Sequence, residues 1–285
     1  MTGPASDALD KADRASRRPL ACQTWLWEMQ GGRWTGTVED ILDTAKRARL
    51  DGIELTMAVA ARFGGRPRDL RTAVETRGLS LACVRYTMAT GFTDPRDAEA
   101  ELTGLERALV FTLEAGARRL GLKGLSSPHP ERDRCAKVAH ACRMYNEIAR
   151  RADAVGLTIN VHLHSHPDAV VWTPDEWDAF LDRTDSSRVF VCADTGHLLR
   201  CGHNPAETIR RHLSRINHIH LKDASADGSF PPLGEGILDI RSVCDVLTQR
   251  RYEDWIVLEE EHESQIADPV SALQRAAARV RQAGC

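Results

Sequence analysis

Two stretches of this chain decide its fold, because each is an apolar run that ends in polar residues: Val189-Phe190-Val191-Cys192-Ala193-Asp194-Thr195-Gly196-His197 and Ile216-Asn217-His218-Ile219-His220-Leu221-Lys222-Asp223. Side chains alternate across a strand, so Asp194 points to one side of the first stretch, while His220 and Lys222 share one side of the second. A helical pattern separates the two stretches, as in strand–helix–strand units of a parallel sheet. Carboxylate and imidazole groups at the ends of such strands indicate an enzyme site.

Two further strands end in the same way. Residues 158–162 alternate up to His162, and residues 255–259 alternate up to Glu259. Because ligands bind at the carboxyl ends of parallel strands, we expect one site that contains His162, Asp194, His220 and Glu259. Two imidazoles and two carboxylates favour one divalent metal ion. Mn²⁺ or Co²⁺ is expected first, with Mg²⁺, Fe²⁺ or Zn²⁺ as alternatives.

Strand and helix patterns alternate along the whole chain. We predict strands at 20–25, 51–56, 79–86, 118–122, 157–163, 188–194, 216–222 and 254–260. We predict helices at 38–49, 68–77, 97–115, 132–155, 174–184, 205–213, 239–250 and 268–283. Eight such units predict a single (β/α)8 TIM barrel. A doubly wound sheet could also hold eight units, but its ligands would gather at one switch point and not on four consecutive strands.

Composition excludes several classes of protein. The net charge of −3 speaks against nucleic-acid binding, and no apolar run reaches the length of a membrane span. Residues 1–18 are polar and charged, so we expect a disordered tail there and the barrel over 19–285. The eight cysteines show neither a CxxC pair nor a secreted framework, which favours buried thiols and a cytoplasmic location. Self-association into a homo-oligomer is left open.

The ordered set of motifs resembles the sugar phosphate isomerase/epimerase superfamily, the xylose isomerase-like TIM barrels. The resemblance extends over residues 157–283 and rests on Asp194-Thr195-Gly196-His197, His218-Ile219-His220-Leu221-Lys222-Asp223, Gly234-Glu235-Gly236 with Asp239, and Trp255-Ile256-Val257-Leu258-Glu259. In the N-terminal half only Gly52-Ile53-Glu54-Leu55 is similar. The resemblance implies that Asp194, His220 and Glu259 are metal ligands, and that His197 and Glu259 meet the substrate.

One residue departs from the pattern of many epimerases in this superfamily. Where they carry a glutamate that serves as ligand and base, this chain has His162, within Asn160-Val161-His162-Leu163-His164. The His-x-His form is similar to the inosose (2-keto-myo-inositol) dehydratase branch. A mechanism with two glutamate bases is therefore not expected.

The resemblance and the ligand set together predict a sugar isomerase or epimerase that depends on a divalent metal. A ketose, keto-sugar or cyclitol would lose the proton next to its carbonyl through a metal-stabilised enediolate. Glu259 is the expected base, His197 or His162 moves the second proton, and Lys222 stabilises an oxyanion. The alternative is an inosose dehydratase-like lyase that eliminates water. An endonuclease IV-like hydrolase is excluded, because strands three and four do not end in histidines.

Five further residues are candidate substrate contacts beside His197: Trp25, Glu54, Arg85, Lys123 and His164. The three charged ones equally suit internal salt bridges, and Trp25, like Phe230, equally suits packing. His164 and His166 suit either the orientation of His162 or a polar loop.

Three motif residues or turns have simpler structural interpretations. Asp194 suits a helix cap as well as a metal ligand. His218 is expected to be a buried, hydrogen-bonded core residue, and Gly234-Glu235-Gly236 to form a tight turn.

Overall fold

The computed structural model describes residues 17–285, so residues 1–16 of the predicted tail lie outside the described part. Eight parallel strands close into a barrel in sequence order. They are β1 (Leu20–Gln23), β2 (Gly52–Thr56), β3 (Ser80–Tyr86), β4 (Arg119–Lys123), β5 (Thr158–His162), β6 (Val189–Asp194), β7 (Ile216–Leu221) and β8 (Trp255–Leu258). The prediction of a (β/α)8 barrel is confirmed.

Helices follow the strands around the outside of the barrel. They are α1 (Trp25–Glu28), α2 (Val38–Arg47), α3 (Met57–Ala61), α4 (Pro67–Glu75), α5 (Ala98–Glu114), α6 (Arg134–Ala154), α7 (Pro174–Leu181), α8 (Thr195–Arg200), α9 (Pro205–His212), α10 (Ile240–Gln249) and α11 (Pro269–Gln282). Short 3₁₀ turns lie at Gly31–Arg33, Leu213–Arg215 and Glu263–Gln265. The short helices α1, α3 and α8 were not predicted, and Trp25 begins α1 where the sequence pattern placed it in β1.

Local sequence explains where several helices begin and end. At the start of α2, the Thr37 side chain accepts a hydrogen bond from the Asp40 N–H, and the Asp40 carboxylate accepts one from the Thr37 N–H. This capping box satisfies backbone donors that a helix N-terminus otherwise leaves free. Gly78 and Gly156 follow α4 and α6 with φ of 70° and 75°, a conformation that glycine adopts without strain.

The register of the barrel sets the height of each strand end. Lys123 of β4 lies beside His162 of β5, and Asp194 of β6 lies beside His220 of β7. Leu20 of β1 pairs with Ile256 of β8 and closes the sheet. Because the strands are parallel, all eight carboxyl ends open at one face of the barrel.

The cysteines differ in part from the expectation of free, buried thiols. Cys22, Cys83, Cys142 and Cys192 are buried and free, as expected. However, Cys244 in α10 and Cys285 form a disulfide with a Cα–Cα distance of 5.4 Å. Sequence spacing did not reveal this pair, because its members are 41 positions apart and only the packing of the last two helices brings them together.

Within residues 17–285, none of the helices is long and apolar enough to cross a membrane.

Candidate active site

The four predicted metal ligands meet at the carboxyl face of the barrel. His162 and Asp194 end β5 and β6, His220 lies in β7, and Glu259 follows β8 directly. All four are buried, with exposed fractions of 2%, 1%, 0% and 8%. Four consecutive strands thus bring together groups that are almost 100 residues apart in the sequence.

One nitrogen or oxygen atom of each residue faces a common centre. His162 Nε2 lies 3.3 Å from Asp194 Oδ2, and His220 Nδ1 lies 3.8 Å from the same oxygen and directly against Glu259 Oε2. Apart from ion-pair contacts with one another and with Lys222, none of these four atoms has a hydrogen-bond partner among the described residues. Buried polar atoms that converge on one another in this way suit a shared ligand. Asp194, His220 and Glu259 form one group whose ligand atoms could hold a metal ion, and His162 belongs to an adjoining group that shares His220.

Asp194 both caps a helix and faces this centre. Its Oδ1 accepts a hydrogen bond of 2.9 Å from the His197 N–H at the start of α8. Its Oδ2 remains free and points toward His162 and His220. The two interpretations of Asp194 from sequence are therefore compatible, because the cap fixes the orientation in which the second oxygen faces the site.

Glu54 holds His220 from below the site. Its Oε1 lies 3.0 Å from His220 Nε2 and 2.8 Å from Arg85 Nε, and its Oε2 lies 2.6 Å from His218 Nε2. A proton on His220 Nε2 would leave the Nδ1 lone pair free for a metal. Glu54 is fully buried and paired and does not line the cavity, so the structure places it as a support for His220. His218 is a buried, hydrogen-bonded core residue, as predicted.

The pKa values of this group follow from its carboxylates. Burial lowers the pKa of His220, but Cys192, Glu54 and Glu259 outweigh burial and raise the pKa well above its usual value. Burial raises the pKa of Glu54, but Arg85 and the two histidines lower it well below its usual value. In the metal-free protein, His220 therefore carries a proton between two carboxylates, and a bound ion would displace that proton.

Lys222 lies on the acidic side of the site. Its Nζ is 2.7 Å from Glu259 Oε1, 3.0 Å from Glu261 Oε2 and 3.8 Å from Asp194 Oδ2, and the side chain is 1% exposed. Burial lowers the pKa of Lys222, but Glu259 and Asp194 more than compensate, so its pKa is raised. Lys222 is therefore a charged hydrogen-bond donor next to the expected base.

His197 is held as a neutral donor. Its Nδ1 accepts a hydrogen bond of 3.2 Å from the Ser165 N–H and lies 2.8 Å from Ser165 Oγ. Burial lowers the pKa of His197 to about 3. With Nδ1 occupied as an acceptor, the proton of the neutral ring lies on Nε2. This geometry favours hydrogen-bond donation from His197 over removal of a proton by it.

An open cavity of about 270 Å³ lies above these residues. Of the predicted site residues, those that line it are Trp25, Arg85, Lys123, His162, His164, His197 and Glu259. Asp194, His220 and Lys222 are buried and do not line it. Lining residues that were not among the predicted substrate contacts are Gln23, Thr56, Tyr86, Thr87, His166, Asp168 and Glu261. Each of them ends a strand or follows one within six residues, which is the one signal in the sequence that could have identified them.

His164 packs beside His162 as a second imidazole. The two ring centroids are 4.0 Å apart, and burial lowers the pKa of both rings well below the usual value. His164 also lies 5.1 Å from His197. The site is therefore lined by neutral imidazoles on its β5–β6 side.

Asp223 is a structural residue whose role the motif did not reveal. Its carboxylate accepts hydrogen bonds from the backbone N–H groups of Ala224, Gly234, Gly236 and Leu238, at 2.8–3.0 Å. A Cβ at Gly236 would collide with this carboxylate, which explains the glycine. The loop held in this way places the Phe230 ring 5.3 Å from the His197 ring and 4.4 Å from Lys222 Nζ. Phe230 thus packs against the site, and the predicted turn is part of the loop that holds it.

The fold and this site define an enzyme of the (β/α)8 barrel class. The model of the xylose isomerase-like TIM barrel family matches residues 42–283, and the chain belongs to that family.

Curated relatives include two inosose dehydratases. That of Clostridium beijerinckii is 32% identical over 155 residues, which are 48% of this chain and 51% of the relative. This alignment therefore spans only about half of the relative's length. That of Clostridium botulinum is 24% identical over 276 residues, 83% of this chain and 90% of the relative.

Solved structures of similar fold include an L-ribulose 3-epimerase, with a TM-score of 0.77 and 19% identity over 94% of both chains. The IOLI protein with a bound zinc atom has a TM-score of 0.80 and 14% identity, over 93% of this chain and 97% of that one. At such identities the likeness concerns the fold.

Proposed function

We propose that the protein is a hydro-lyase that depends on a divalent metal and eliminates water from a keto-cyclitol or keto-sugar. The observation that carries this proposal is the residue at the end of β5. His162 is a buried imidazole whose pKa is lowered by burial, and both of its ring nitrogens lack a partner among the described residues. A neutral imidazole can ligate a metal, but it does not supply the second carboxylate base of a two-glutamate epimerase.

The ion would be held by His162, Asp194, His220 and Glu259. When bound, it would polarise the substrate carbonyl and make the neighbouring proton more acidic.

Glu259 is suited to remove that proton. Although burial raises its pKa, Lys222 and His220 lower it below the usual value, so the carboxylate is ionised. A residue that must accept a proton has to be deprotonated and within reach of the substrate, and Glu259 lines the cavity. Its Oε1 lies against Lys222 Nζ, which fixes the direction of the carboxylate.

Two donors are suited to the departing hydroxyl group. Lys222 is a buried ammonium group shared by Glu259 and Glu261, and His197 presents an Nε2–H. The departing hydroxyl group must receive a proton from a donor, so that it leaves as water. The elimination then needs no second base. One base with two donors therefore fits elimination. The inosose dehydratase relatives support the same choice.

The second candidate is the isomerase or epimerase predicted from the sequence. It shares the first proton removal, and its support is the position of His162, whose unpaired nitrogens could return a proton to another carbon or face. A ketose, keto-sugar or cyclitol remains the expected substrate in both cases, and the chain is proposed to act in the cytoplasm.

Products distinguish the two candidates. Metal-loaded protein is incubated in D₂O with a panel of inososes and keto-sugars, and the products are followed by NMR. The lyase yields a 1,2-diketone, or the enol of that diketone, with loss of water and no epimer. An epimer or ketose isomer that carries deuterium, without loss of water, would overturn the lyase proposal.

The variant His162→Glu sharpens this test. In the lyase, a third carboxylate makes the centre more anionic and should slow elimination, because it weakens the polarisation of the carbonyl. In an epimerase, the same change supplies a second base and should preserve or raise turnover. Metal content is measured beside turnover, so that loss of the ion is not mistaken for loss of chemistry.

A further inference from the structure

We infer that the β3–β4 side of the cavity is a subsite for a carboxylate group of the substrate. The inference rests on the proposed function and narrows its substrate to a cyclic or open-chain keto-polyol acid. The two residues that form the subsite are Arg85, at the end of β3, and Lys123, at the end of β4. Both line the cavity.

The guanidinium group of Arg85 is held in an orientation in which one of its nitrogens has no hydrogen-bond acceptor. Its Nε donates to Glu54 Oε1 at 2.8 Å, and its Nη2 lies 3.4 Å from His220 Nε2. Its Nη1 is buried and has no hydrogen-bond partner among the described residues. The Arg85 side chain is only 8% exposed, so water does not freely satisfy this nitrogen. Because Arg85 lines the cavity, a ligand oxygen there would approach this guanidinium group.

The neighbouring strand makes room for this arrangement. At Gly121 of β4, an added Cβ would lie 3.1 Å from Arg85 Nη2, so the guanidinium group packs where any other residue would crowd it. The Glu54 carboxylate is shared by Arg85, His218 and His220, so it only partly balances the charge of Arg85. The subsite thus contains the fixed cation of Arg85, whose acidic partner Glu54 also serves two histidines.

Lys123 adds a second cation two residues after Gly121, on the same face of β4. Its Nζ lies 3.8 Å from Asp168 Oδ2, and the two side chains are 25% and 46% exposed. An ion pair that is this exposed and this long contributes little to stability, so another anion can replace Asp168 beside Lys123. Because both cations line the cavity, a carboxylate group at this side would be attracted by the two together.

The opposite side of the cavity gives the substrate a direction. Asp194, Glu259 and Glu261 lie there, and Lys222 is already shared among them. The proposed ion would bind the carbonyl oxygen of the substrate on that side, which leaves the carboxylate group for Arg85 and Lys123. The carbonyl end of the substrate would then face Glu259, and its carboxylate end would face β3 and β4.

Binding of matched probes to the metal-loaded full-length protein tests the subsite. Quinate is a polyhydroxylated ring with a carboxylate, and quinamide is its uncharged counterpart of nearly the same shape. Titration calorimetry should show quinate bound about 10- to 100-fold tighter than quinamide, the range expected for a charge-assisted contact. Lys123→Met should remove most of this difference. Lys46→Met removes one positive charge from an exposed position on α2 and should leave the difference unchanged.

Arg85→Lys provides a second variant, which keeps a positive charge beside Glu54 but shortens the donor. Circular dichroism and metal content establish that it is folded, and the preference for quinate should fall in it as well. Equal affinity for quinate and quinamide, absence of quinate binding, or a preference that survives in Lys123→Met overturns the inference.

A phosphate arm separates the two sources of anionic oxygen. The ratio of affinities for inositol 1-phosphate and myo-inositol is compared with the ratio for quinate and quinamide. If the first ratio is larger, the subsite is one for phosphate and the carboxylate assignment is wrong. Probe binding needs no turnover, so its outcome is independent of the product analysis that tests the lyase. If the protein dehydrates a neutral inosose but binds quinate no tighter than quinamide, the proposed function stands and this inference is wrong.

Discussion

His220 lies between two buried carboxylates that come from different halves of the barrel and differ in their access to the cavity. Glu54, in β2 of the N-terminal half, contacts His218, Arg85 and the Nε2 side of His220. Glu259, after β8 of the C-terminal half, contacts the Nδ1 side of His220 through Oε2 and Lys222 through Oε1, and it lines the cavity. Burial is common to both. Access to the cavity is what distinguishes the reactive position from the supporting one, because Glu259 lines the cavity and Glu54 does not.

The largest expected effect concerns Glu259, the reactive member of the pair. Glu259→Gln should reduce proton exchange next to the carbonyl by roughly 10²- to 10⁴-fold, the usual contribution of a positioned base. Deuterium incorporation from D₂O measures this, with metal content determined in the same sample. Near-normal exchange in a metal-loaded variant would show that another group, such as Glu261, is the base.

For Glu54, the supporting member, the expected loss is in stability. Glu54→Gln leaves Arg85 and two histidines around a neutral amide, and breaking a buried ion pair from one side costs about 3–5 kcal/mol. Denaturant unfolding measures the change. Glu261→Gln is the matched control, because Lys222 retains Glu259 as a partner and the Glu261 side chain is 20% exposed. Equal stability of the two variants would remove the distinction between the halves.

Asp194 allows the ligand role to be separated from the cap. In Asp194→Asn, an amide oxygen can still accept the His197 N–H, so α8 should persist. Loss of a residue that only supports a ligand costs roughly 10- to 100-fold in metal affinity, so loss of a ligand charge should cost at least about 100-fold. Equilibrium dialysis with elemental analysis checks this. Full metal occupancy in the variant would show that Asp194 caps α8 but is not a metal ligand.

The smallest effect is a dependence of metal affinity on pH. The pKa of His220 is raised, whereas those of His162, Asp194 and Glu259 are lowered. Below the raised pKa the ion must displace one proton, so metal affinity should fall as pH falls, by up to about tenfold per pH unit. Above that pKa the affinity should level off. His220→Asn offers a ligand that does not titrate, and the same slope in this variant would exclude His220 as its source.

Much of this molecule could be predicted from short-range patterns. Alternation of apolar and polar residues located all eight strands to within a few residues, and it placed His162, Asp194, His220 and Glu259 at their carboxyl ends. The period of a strand is two residues, so the side to which each side chain points is encoded locally. The count of strand–helix units then predicted the closed barrel.

What the sequence could not provide are partners that meet only across the barrel. That Glu54 supports His220 and does not line the cavity depends on contacts between residues more than 160 positions apart. Likewise, Ser165 sets the donor side of His197, Asp223 holds the loop from Gly234 to Leu238, and Cys244 meets Cys285.

The sequence by itself determined the barrel, the height of the polar strand ends and the chemical types that meet there. Only the tertiary structure decided which of those groups are satisfied and which are free, for example that Arg85 keeps an unpaired Nη1 while Glu54 keeps no unpaired atom. The physical reason is that alternation and helical period are local properties of the backbone. Hydrogen-bond satisfaction, by contrast, is a property of a whole packed neighbourhood, in which every donor competes for the same few acceptors.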